Sequence, residues 1–99
     1  MPATVSALVA RTIAAQEGLV AVADPLVEEW QYVADLGAAW GARLRRVADE
    51  RGGEDATAEV ERAVERVIGE AELVTDPHRA IDWLSTLPQI VLVALGERT

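Results

Sequence analysis

Apolar positions recur along most of the chain at steps of three and four residues, the spacing that turns one face of an α-helix toward a core. The longest such register is Leu26, Trp30, Val33, Gly37, Trp40, Leu44 and Val47. It is an unbroken heptad seam, and it predicts a central helix over residues 25–51 around which the rest packs. Before it, Val5, Leu8, Val9, Ile13, Leu19, Val20 and Ala23 share a face and predict a helix over 3–23. Thr12 and Gln16 lie inside that apolar stripe, and a buried polar group left without a partner costs about 1–3 kcal/mol. After the central helix, Val60, Val64, Val67, Ala71 and Val74 predict a helix over 55–74. Ala80, Ile81, Trp83 and Leu84 predict a short one over 77–85, and Ile90 to Leu95 a last one over 87–95. No second strand offers itself to pair with the apolar run 90–95, so helix is preferred there. The expected fold is all-α: a small bundle of four to five helices in one domain, 1–99.

The punctuation between these segments supports the same division. Asp24-Pro25 and Asp76-Pro77 are helix starts: the carboxylate caps free N–H groups, and proline fits the first helical position, where an N–H has no partner. Glu28 and Glu29 near the start of the central helix, and Arg43, Arg45, Arg46 and Arg51 near its end, favour the helix dipole. Gly52-Gly53 and Gly96 read as stops. Thr86 followed three residues later by Gln89 has the form of a capping box, and with Pro88 it predicts a break between the last two helices. Gly18 and Gly69 weaken the helices that hold them. Ala34, Gly37, Ala38 and Gly41 form a flat strip beside Trp30 and Trp40, and close approach of another helix is the expected return for glycine at mid-helix.

Composition narrows what such a bundle can do. Three Trp and one Tyr are the only aromatic residues, so the core must be built from Ala, Val, Leu and Ile. All nine basic residues are Arg, and the net charge is -8. An acidic surface lacks the basic patch by which proteins release counterions from DNA or RNA, so no nucleic-acid partner is expected. Arg43, Arg45 and Arg46 are moreover offset by Asp49 and Glu50 on the same helix end. There is no Cys, which excludes disulfides and thiolate metal sites. No charged region precedes an apolar run as in a signal peptide. The longest uninterrupted apolar run, Ile90 to Leu95, has six residues, whereas a membrane crossing needs ~20. A cytoplasmic protein without a membrane partner is the expectation.

Candidate chemistry is sparse. His78 is the only histidine, at the second position of a helix beside Asp76, Arg79 and Asp82. Those four residues read as a cap with a local ion pair, since no nucleophile or substrate groove accompanies them. Di-iron helical bundles need Glu-x-x-His pairs, but Thr75 stands three residues before His78. The magnesium-binding run Glu-Glu-x-x-Glu of helical nucleoside-triphosphate pyrophosphohydrolases begins at Glu28-Glu29, but Tyr32 occupies its third acidic place. No catalytic, cofactor or metal residue is therefore assigned.

Two functions fit what remains. The first is self-association and protein–protein interaction. Ile90, Val91, Leu92, Val93, Ala94 and Leu95 point in every direction around a helix, so one face would be left as an exposed apolar patch, which soluble monomers usually avoid. A homodimer or larger assembly with residues 90–95 in or beside the interface is expected. The alternative is a small-molecule binder or enzyme with a pocket between the first two helices, lined by Thr12, Gln16, Trp30 and Trp40.

Overall fold

A computed structural model of the chain describes residues 3–23 and 30–97. They form four helices: α1 (Val5–Ala23), α2 (Trp30–Arg51), α3 (Ala58–Glu72) and α4 (Pro77–Ala94). The expected start of the central helix at Asp24-Pro25, with Leu26, Glu28 and Glu29, lies outside the described residues, as do the side chains of Trp30 and Val33. In the rest of α2, Gly37, Gly41, Leu44 and Val47 are buried and Trp40 is half-buried.

The two last helices expected from the sequence are one. α4 runs through Pro88 without interruption. Proline in a helix interior removes a hydrogen bond and crowds the preceding turn, at about 3 kcal/mol. Burial decides the matter. Ala80, Trp83, Leu84, Pro88, Val91, Leu92 and Leu95 form one continuous buried stripe along α4, and each large apolar side chain contributes about 1.5–3 kcal/mol. A break at residue 86 would turn half of that stripe out of register. The hydroxyl expected to cap a new helix bonds back into the old one instead: Thr86 Oγ1 donates to the Asp82 carbonyl at 2.8 Å, as Ser85 Oγ does to that of Ile81. Gly18 likewise leaves α1 unbroken.

The start of α3 also differs. It begins at Ala58, three residues after the expected position, with Thr57 as its cap accepting from the Val60 N–H. Residues 52–56 are committed elsewhere, to the start of α1. The Val5 N–H donates to the Glu54 carbonyl and the Ser6 N–H to that of Gly52, both at 3.0 Å, while the Ala56 N–H donates to Ala3 at 2.8 Å. Thr4 supplies the acceptors for the next two groups: its Oγ1 takes the Ala7 N–H and its carbonyl that of Leu8. The four N–H groups that a helix start leaves without intrahelical partners are thus satisfied, two of them by a loop some fifty residues away. Gly52 is required by space: a Cβ there would lie 2.2 Å from the Ala48 carbonyl oxygen and 3.1 Å from Ser6 Cβ.

These bonds fix the directions. α1 and α3 start at the same end of the bundle. α2 and α4 finish there, since Arg51 Nη1 donates to the Leu95 carbonyl at 2.6 Å. The chain therefore runs up, down, up and down. α1 and α4 form the middle and each touches the other three helices; α2 and α3 flank them without meeting among the described residues. The result is elongated, 42 × 23 × 18 Å. One core joins all four helices: Leu8, Leu19, Leu44, Val64, Val67, Leu84 and Leu92 among others. Within it the Trp83 indole N–H donates to the Val67 carbonyl at 3.0 Å, tying α4 to α3. α4 ends in a Schellman turn around Gly96 (φ +85), with Gly96 N–H bonded to Val93 and Glu97 N–H to Leu92, both at 2.9 Å.

Candidate functional site

The polar residues in the stripe of α1 are buried, and both are engaged by the fold. The Thr12 hydroxyl donates to the Leu8 carbonyl at 2.9 Å, a bond within its own helix. Gln16, 4% exposed, reaches α2 and donates from Nε2 to the Gly37 carbonyl. That amide group explains the glycine strip. A Cβ at Gly37 would stand 3.2 Å from Val20 Cγ2 and 3.5 Å from Gln16 Nε2, and a Cβ at Gly41 again 3.5 Å from that nitrogen. The two glycines make the slot into which Gln16 fits, and α1 is the helix that approaches them. Ala34 is half-buried and Ala38 exposed, so only part of the strip faces α1.

The slot is not fully satisfied. A carbonyl only accepts, so Gln16 must turn its nitrogen toward Gly37. Its Oε1 then points elsewhere and is buried without a partner, as is the Trp40 indole N–H. One is an acceptor and the other a donor. The Trp40 ring has Arg43 over its face, 5.4 Å from the centroid. The hollows described below are lined by residues other than Thr12, Gln16 and Trp40; the Trp30 side chain lies outside the described residues.

Around His78 the arrangement is a cap with an ion pair. Asp76 Oδ1 accepts the Arg79 N–H at 3.0 Å, and its Oδ2 lies 3.6 Å from Arg79 Nε. His78 and Asp82 are exposed. Among the described residues no three acidic or histidine side chains are placed to hold a metal ion. Three of the four arginines of α2 are drawn to acids of other elements: Arg45 to Glu17 and Arg46 to Glu97, each at 3.6 Å, and Arg51 to Glu54 at 3.0 Å.

Apolar surface is left open on both flanks of α3. On one flank, Val93 (57% exposed) stands with Ile90, Ala63 and Ala94 around a shallow hollow of about 410 Å³. Val91, Leu92 and Leu95 of the same helix are buried. On the other flank, a groove of about 620 Å³ runs between α1 and α3, floored by Leu19 and walled by Ala15, Val22, Ile68, Ala71 and Val74. Leu73, just past the end of α3, is 77% exposed and lines a different hollow with Trp83 and Leu87 of α4. Neither surface is marked in the sequence by anything but an apolar residue off the buried stripe. By length and composition α1 is also sufficient to cross a membrane; in this fold its buried stripe packs on the other three helices. Set against known protein families, curated proteins and solved structures, the chain matches none.

Proposed function

We propose that the protein acts by association, as an acidic helical bundle that pairs with copies of itself through apolar surface its own four helices leave uncovered. The observation that carries this reading is the outer face of α4. Val93 is 57% exposed and sits with Ile90, Ala63 and Ala94, beside a core that buries Val91 and Leu92 completely. Apolar surface left in water is unfavourable at about 25 cal/mol per Å², and a second copy is the simplest cover. The test compares neighbours on one helix. Val93→Glu is expected to give folded protein of lower mass by light scattering. Val91→Glu and Leu92→Glu place a charge in the core and are expected to give unfolded protein. A wild type that is monomeric at tens of micromolar overturns the reading.

The alternative, a small polar ligand held between α1 and α2, is favoured by one observation: the buried, unpartnered Gln16 Oε1 of α1 and Trp40 indole N–H of α2, an acceptor and a donor. A bound ligand raises the melting temperature according to RT ln(1 + [L]/Kd). A thermal-shift screen in which hits vanish in Gln16→Leu would support this alternative, and a screen without hits would remove it.

A further inference from the structure

The groove between α1 and α3 carries one charge of each sign. Arg11 of α1 and Glu72 of α3 both line it, both are exposed, and among the described residues neither forms an ion pair within the chain. Their positions along it differ. α1 and α3 start at the same end of the bundle and run in the same direction. Arg11 is six residues past the start of α1, whereas Glu72 is the last residue of α3. At 1.5 Å rise per residue the two charges stand roughly 12 Å apart along the groove. Between them the surface is apolar, with Ala15, Ile68 and Ala71 half-buried. Gly18 lies in the same wall, and a Cβ there would meet nothing within 4 Å. Among the described residues nothing requires that glycine, although it weakens the helix.

A surface with a cation at one end, an anion at the other and apolar residues between is complementary to its own image turned end for end. A two-fold axis across the groove performs that turn. We propose that the α1–α3 groove is a two-fold contact with a second copy of this chain, in which Arg11 of each copy meets Glu72 of the other. Ala15, Ile68 and Ala71 of the two copies then cover one another, and Gly18 lets the two α1 helices approach. This inference rests on the self-association proposed above but assigns it a second face, on the opposite flank of α3 from Val93. With both faces occupied, and the two axes crossing at right angles, the assembly is a tetramer, and loss of either contact leaves a dimer held by the other.

The symmetry gives a test that folding defects do not imitate. In Arg11→Glu each contact pairs two acids, and in Glu72→Arg each pairs two arginines. Each variant alone is expected to weaken the groove contact about tenfold or more, since two surface ion pairs are reversed at once, and to halve the wild-type mass by light scattering. Mixed one to one, the variants form a heteromeric contact. In it the acid introduced at position 11 of one chain faces the base introduced at position 72 of the other. The unaltered Glu72 and Arg11 of the same two chains also face each other, so the larger mass returns. Ala14→Glu, in the same wall, halves the mass and is not rescued by mixing. Circular dichroism melts confirm that each variant is folded. Single charge variants that assemble like wild type, or a mixture that stays small, overturn the groove contact. If in that case Val93→Glu still lowers the mass, self-association through α4 stands alone; a monomeric wild type overturns both.

Discussion

At the scale of single residues, identical substitutions should have opposite signs because their surroundings differ. Gly69 is exposed in α3, and a Cβ there meets nothing within 4 Å. Gly69→Ala should stabilise the protein by about 1 kcal/mol, the difference in helix propensity, or about 4–8 °C in melting temperature for a chain of this size. Gly37→Ala gains the same propensity but brings its methyl to 3.2 Å from Val20 Cγ2 and 3.5 Å from Gln16 Nε2. It should lower the melting temperature, since the packed Val20 and Gln16 side chains must shift to admit it. If Gly37→Ala melts at or above wild type, the slot is not the reason for the glycine. The sequence shows that glycine sits in the seam and that Gln16 lies in an apolar stripe. That the two belong together does not follow from it, because their pairing depends on how α1 rotates over α2.

At the scale of elements, periodicity marks the helices, and burial overrules the local signals at Pro88. Thr86, Pro88 and Gln89 form a credible helix start when only their neighbours are read. They lie mid-helix because Trp83 and Leu84 on one side and Val91, Leu92 and Leu95 on the other share one stripe, a relation that spans more than three turns. The start of α3 departs from the pattern for the converse reason: nothing local bars Asp55 and Ala56 from a first helical turn, yet their backbone is engaged by Thr4 and Ala3. Arg51 shows the same limit. Its position suggests service to the dipole of its own helix, but its guanidinium reaches the free carbonyl of Leu95 at 2.6 Å at the end of α4. Arg51→Met should therefore lower stability by about 1–2 kcal/mol, as loss of a charged hydrogen bond to a helix end does. Arg45→Met removes only an exposed pair at 3.6 Å and should change it by less than about 0.5 kcal/mol. Chemical denaturation of the two variants separates these roles.

At the scale of the whole molecule, a net charge of -8 and arginines directed onto Glu17, Glu54 and Glu97 leave little to attract a polyanion. A gel shift with duplex DNA or RNA at physiological salt should show no complex at micromolar protein. The all-helical class was legible because four stripes of regular period survive in the sequence; the layout was not, since contacts between α1 and α3 or α2 and α4 leave no mark in spacing. Nor could the sequence show that the first turn of α1 is bound to the loop between α2 and α3. The amide protons of a first helical turn ordinarily exchange with solvent within moments, because water alone accepts them. Those of Val5 and Ser6 are held by Glu54 and Gly52, and that of Ala56 by Ala3. They should exchange together and slowly, at a rate set by the parting of two segments half the chain apart, so that the outermost turn of α1 reports the opening of the bundle rather than the fraying of its own end.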